Sequence, residues 1–204
     1  MNNCSNFTTI APRAKKRDIC ILEADESPKP NSEKKHEYSY SCAMLPLSDE
    51  SCALIKYWSK KFIPKKNLYI NEDEGIDGYD ENSHVTVKYG LHDSTPDNLS
   101  DLISGVGAVP LKFGVVSKFD THPNYDVIKL VVKGEKLMML NKMISASLET
   151  TDTFPEYIPH ATIAYVKKGS CDHLLDNDFF DKLSDKVDTI HFSSRDGTDH
   201  LICL

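Results

Sequence analysis

No apolar run in the chain reaches the length of a membrane span, which excludes a spanning helix. Neither a Gly-rich phosphate loop nor a serine elbow is present, so the nucleotide-cradling and serine-nucleophile routes have no local support. Cysteine is sparse and scattered. Cys4, Cys20, Cys42, Cys52, Cys171 and Cys203 form no Cys-x-x-Cys pair, and residues 1–10 are polar rather than basic and then apolar, as a secretory signal would be. The expectation is a cytoplasmic protein with free thiols, not a disulfide framework. Positive charge is outnumbered: 24 Lys and Arg against 31 Asp and Glu give a formal net charge of -7. That balance argues against broad capture of duplex nucleic acid. It leaves room for a locally basic pocket that takes a small phosphate-bearing ligand.

What is present is a repeat. His84-Val85-Thr86-Val87-Lys88-Tyr89 and His160-Ala161-Thr162-Ile163-Ala164-Tyr165 both read His-x-Thr-x-x-Tyr. Residues i and i+2 of a strand share a face, so each copy presents an imidazole beside a hydroxyl. Val85 with Val87, and Ala161 with Ile163, point the other way. Two such strands side by side place two histidines and two threonines around one small anion. A single copy would carry little weight, since a lone strand histidine is usually surface or core filler.

Around these copies the chain of 204 residues reads as one domain, residues 36–204, with an N-terminal extension over 1–35. The extension holds a basic cluster, Arg13 to Arg17, a short candidate edge strand at Asp18–Leu22, and a charged, proline-bearing linker from Glu23 to Lys35. A strand is expected over Tyr38–Leu45, then a helix over Glu50–Phe62 capped by Ser48 or Asp49, with Leu54, Ile55, Trp58 and Phe62 on one face. Leu68–Ile70 reads as a short strand, and 71–82 as an acidic loop whose order of ligands does not match a calcium loop. Thr95 caps a short helix with Pro96 at its first position. Strands at Val109–Val116 and Tyr125–Val132 flank a hairpin connection, and Leu137, Leu140, Ile144 and Leu148 mark a helix after Gly134. A helix over 172–183 is expected to turn Leu175, Phe179 and Leu183 inward. A terminal hairpin, 188–194 with 199–204, turns at Asp196-Gly197.

Zinc usually needs three or four well-spaced protein ligands, and neither Asp80 nor Glu156 is convincingly placed to add one. Two imidazoles with two hydroxyls suit phosphodiester cleavage without a metal or other cofactor. One histidine takes a proton from the nucleophile and the other gives one to the departing oxygen. Thr86 and Thr162 hold the non-bridging oxygens. Base and acid stay interchangeable between His84 and His160. Tyr79, Tyr157, Tyr40 and Trp58 are candidates to stack on a base, although Trp58 at helical spacing also reads as core. Lys88, on the alternating face of His84 and Thr86, is a candidate phosphate contact, and Glu156 a candidate for orienting the site. Tyr89 and Tyr165, at i+5 from the histidines, belong to the opposite face unless a bulge intervenes.

The paired His-x-Thr motifs resemble the signature of the 2H phosphoesterase superfamily, over roughly residues 37 to 204. The resemblance implies an α+β, bilobal fold of two antiparallel sheets related by a pseudo-two-fold, with helices outside and the groove between the lobes. The stretches 84–91 and 159–166 look closest to the bacteriophage anti-CBASS cyclic-nucleotide phosphodiesterases. That likeness implies metal-free linearisation of cyclic di- and trinucleotide messengers in an infected bacterial cytoplasm. The extension over 1–35 departs from that family's compact pattern. An RNA-end 2',3'-cyclic phosphodiesterase or 2'-5' ligase is the alternative enzyme. A degenerate protein that only sequesters cyclic nucleotides, or a general interaction protein, is the non-catalytic alternative.

Overall fold

The computed structural model describes residues 21–22 and 38–204, except 153 and 155. The basic cluster at 13–17 and the linker at 23–35 lie outside the described residues. Among the described residues nine strands form one antiparallel sheet. They are β1 (Ile21–Leu22), β2 (Ser41–Pro46), β3 (His84–Leu91), β4 (Val109–Phe119), β5 (Tyr125–Lys133), β6 (His160–Lys167), β7 (Ser184–Val187), β8 (Thr189–Ser193) and β9 (Asp199–Cys203). Their order across the sheet is β1-β9-β8-β2-β3-β6-β5-β4-β7. The helices are α1 (Asp49–Phe62), α2 (Asp97–Ile103) and α3 (Glu135–Ser147).

Two separate sheets were the expectation, and one continuous sheet is the finding. The reason is the seam. The motif strands β3 and β6 pair with each other, but only at Val85 and Ala161. One pair suffices to join the halves, and helices crossing the seam reinforce it. α1, which follows β2, packs on β6 of the other half, while α3, which follows β5, packs on β3 as well as β4.

Alternation sends one face of this sheet against the helices. Ala43, Leu45, Val85, Val87, Ala161, Ile163, Ile128 and Leu130 are buried there with Ile55, Trp58, Leu137 and Leu140. Their removal from water drives the fold at about 25 cal/mol per Å² of apolar surface. Cys42, Met44, Pro46, His84, Thr86, His160 and Thr162 occupy the intervening positions and are half-buried on the open face. α1 begins where expected, with the Ser48 side chain accepting from the Ser51 N–H; Leu54 sits at the edge of its buried stripe, while Phe62, expected on that face, is exposed in the last turn beside Trp58.

Four elements differ from the sequence reading. The first core strand starts at Ser41, and Leu68 makes only an isolated bridge to Val166 after a turn of 3-10 helix over Lys65–Asn67. The helix over 172–183 is a single 3-10 turn, Asp172–Leu174. Asp176 takes a left-handed φ of 59° and donates its N–H to the Val116 carbonyl, so the segment pairs against β4 instead of coiling. Phe180 rather than Phe179 is the core residue, and Phe179 is 47% exposed. Pro96 precedes α2, and Thr95 bonds the Asp97 carboxylate.

Candidate active site

Antiparallel pairing of Val85 with Ala161 sets His84 across from Thr162 and Thr86 across from His160. The two histidines therefore stand on one diagonal and the two threonines on the other, all on the open face. Both imidazoles are held alike. His84 Nδ1 lies 3.1 Å from the Asn82 carbonyl, and His160 Nδ1 lies 2.7 Å from the Ile158 carbonyl. A carbonyl can only accept, so Nδ1 carries the hydrogen in each ring and Nε2 is left for chemistry. Neutral, that nitrogen accepts a proton; charged, it gives one.

The halves differ in their electrostatics. Burial pulls the His160 imidazole below the ordinary histidine value, against the pull of the Ile158 carbonyl, and the nearby charges of Lys129 and His84 add to the fall. On the other side, burial raises the Asp80 carboxyl, while the Asn82 N–H and the neighbouring His84 oppose that rise. Beside Thr86, burial pushes the Cys42 thiol up to about 12, opposed by a bond from the threonine hydroxyl. That thiol is therefore no nucleophile at neutral pH.

Beyond their single pair β3 and β6 splay apart, and their backbone groups find other partners. The loop before each motif strand serves the opposite strand. Asp80 N–H donates to Ile163 O, and Tyr165 N–H donates to Gly78 O. Thr151 N–H donates to Gly90 O, the Tyr157 hydroxyl donates to Thr86 O at 2.8 Å, and the Asn141 amide donates to Val87 O. Tyr79 and Tyr157, both stacking candidates by sequence, thus spend their hydroxyls on the backbone: Tyr79 on Ile63 O at 2.6 Å and Tyr157 on Thr86 O. Burial raises the Tyr157 phenol, which keeps it a neutral donor.

A bulge in each motif strand reassigns the faces. The β2–β3 register slips between Ala43 and Met44, so Lys88 stands opposite the core residue Ala43 rather than on the face of His84 and Thr86. Lys88 is 6% exposed and pairs with Asp152. The same slip puts Tyr89 opposite Cys42 on the open face. On β6 the register slips between Ile128 and Lys129, so Tyr165 stands opposite Val127. Both tyrosines leave the core side to which strict alternation assigns them. Tyr40 packs edge-on against Tyr89 and 5.5 Å from the His92 ring. Glu156 is exposed in the loop before β6. Trp58 is fully buried under the sheet with Phe62 and Phe180, closed to any ligand.

Two further residues of the open face are not among those the motifs point to. Lys129 on β5 stands opposite Thr162, and Phe119 on β4 sets its ring edge-on to His160 with centroids 4.8 Å apart. The one sequence signal for Lys129 is a charge amid the apolar run of β5. Among the described residues no three His, Cys, Asp or Glu side chains gather in a way that could hold a metal ion.

No family model matches the chain, and no curated protein does. Solved structures share the fold, an α+β arrangement with a curled antiparallel sheet. Usb1 of Kluyveromyces marxianus is 9% identical, with 82% of this chain and 99% of that chain covered at a TM-score of 0.53. LigT of E. coli, complexed with 3'-AMP, is 15% identical over 81% of this chain and 94% of its own, with a TM-score of 0.55. A crystal structure of a phosphoesterase gives 13% identity, 81% and 95% coverage and a TM-score of 0.55. The likeness is one of fold.

Proposed function

We propose that the chain is a metal-independent phosphodiesterase that cleaves 3'-5' linkages of cyclic oligonucleotide messengers, cyclic di- and trinucleotides, and so counters host CBASS immunity from the cytoplasm of an infected bacterium. The observation that carries the chemistry is the diagonal pair of imidazoles, each with Nδ1 tied to a carbonyl and Nε2 left free. The narrower choice of substrate rests on the resemblance of residues 84–91 and 159–166.

The unequal surroundings divide the labour. Lys129 favours neutral His160, the form a general base needs, and the acid role then falls to His84, the other imidazole of the pair. His160 takes the proton from the ribose 2'-hydroxyl, that same 2'-oxygen attacks phosphorus, and His84 protonates the 5'-oxygen as its bond to phosphorus breaks. Thr86 and Thr162 donate to the non-bridging oxygens. The intramolecular nucleophile is already positioned, and the product is a 2',3'-cyclic phosphate.

A second reading, cleavage at a linear RNA end, draws on the similarly folded LigT that holds 3'-AMP. Turnover of 3'-3' cyclic dinucleotides, a cyclic trinucleotide and an RNA with a 2',3'-cyclic end, read by mass in the presence of EDTA, separates the two. Linearised cyclic oligonucleotides support the proposal. Activity on the RNA end alone assigns the chain to RNA processing, and binding without product leaves a sponge.

A further inference from the structure

On the open face, Lys129 occupies the β5 position opposite Thr162. In the other half the position opposite Thr86 is Met44. The two His-x-Thr copies are thus flanked by a cation on one side and a thioether on the other. Lys129 is 4% exposed, yet its ammonium has no hydrogen-bonding or ionic partner among the described residues. Its Nζ lies over the face of the Phe119 ring, 4.3 Å from the centroid. The other described lysines that are not exposed each have a partner: Lys88 has Asp152, Lys118 has Asp126 and Asp172, and Lys136 donates to the Ala108 carbonyl.

A lysine so largely buried, with no anion beside it, is destabilising, and an apolar side chain would fill the place at lower cost. Burial accordingly pulls Lys129 below the ordinary lysine value. Phe119 lies with its face under the Lys129 Nζ and its ring perpendicular to that of His160, and so holds both groups in one part of the cleft. The charged groups that face His160 are Lys129 and His84, and no carboxylate faces Lys129. A cation in that setting lacks only an anion.

We propose that Lys129 forms an anion subsite on the His160 side, binding a non-bridging oxygen of the phosphodiester held between the histidines. The proposal rests on the phosphoesterase reading for its ligand, a phosphate ester, though not for the subsite itself. A bound phosphate oxygen returns to the ammonium the partner the fold withholds, and the contact strengthens as negative charge builds on the equatorial oxygens.

Inorganic phosphate is the probe, followed by NMR of 13Cε-labelled lysines and of the histidine Cε1–H signals in the full chain. In wild type, phosphate should shift the Lys129 resonance and raise its titration midpoint. Lys129→Met, which repeats the Met44 side chain, should weaken phosphate binding roughly 10- to 100-fold and move the His160 titration to higher pH. Lys129→Arg should keep most of the affinity. A Lys129 signal indifferent to phosphate, or a Lys129→Met variant that binds phosphate as wild type does, overturns the subsite. If Lys129→Met fails to fold, the wild-type lysine signal decides alone. Phosphate binding through Lys129 with no diester turned over sinks the phosphoesterase reading and keeps the subsite. Equal kcat/KM on a cyclic dinucleotide for wild type and a folded Lys129→Met does the reverse.

Discussion

The carbonyls of Asn82 and Ile158 fix the tautomer of His84 and His160, and the reactivity of each ring follows from what else is near it. His84→Ala and His160→Ala should each lower kcat by about 10²- to 10⁴-fold with the fold intact by circular dichroism; wild-type rates in either variant contradict the acid and base roles. The pH profile has a definite sign. Burial, and then Lys129 and His84, lower the His160 value, so the proposed base stays neutral to lower pH than a free imidazole. The acid limb of kcat/KM is therefore expected below about 6.5. A limb at or above that value argues that His160 is not the base. The motif residues are legible in the sequence because i, i+2 alternation holds from His84 to Thr86 and from His160 to Thr162. The same rule misplaces Lys88, since alternation fails two residues later where the strand bulges. Nothing local announces such a bulge. It is settled by the partner strand and by the Asn141 amide that takes up the Val87 carbonyl.

Each motif strand depends on a loop from the other half. Tyr157→Phe removes the donor to the Thr86 carbonyl and is expected to cost about 1 kcal/mol in chemical denaturation, with a larger fractional loss in kcat than in stability. A variant that matches wild type in both measurements would show the hydroxyl to be dispensable. Gly90 is the tighter test. It has a φ of +93°, and an added Cβ would collide with the Thr151 carbonyl, so Gly90→Ala should displace the loop over 149–152 and expose its amides to hydrogen exchange. Unchanged exchange there contradicts the clamp. Among the elements, α1, α3 and the terminal hairpin are readable from caps, apolar spacing and the Asp-Gly turn. The segment after Asp172 is not. Its apolar spacing mimics a helix, while the Val116 backbone competes for its N–H and carbonyl groups and wins.

The sheet as a whole is held across its midline by one residue pair, with α1 and α3 packed over the junction from opposite halves. That crossing is why two expected sheets are one, and it predicts one cooperative unfolding transition. Trp58, fully buried against Phe62 and Phe180, reports it by fluorescence. Coincident fluorescence and circular dichroism midpoints are expected; separate midpoints would mean that the halves melt independently. The juncture also creates the proposed site, because neither half alone holds both His84 and His160. The most direct test of that claim is mass-resolved single turnover of a 3'-3' cyclic dinucleotide in EDTA by wild type, His84→Ala and His160→Ala. Linear product carrying a 2',3'-cyclic phosphate from wild type, and from neither variant, is the predicted result. Product formed equally by all three would contradict the account.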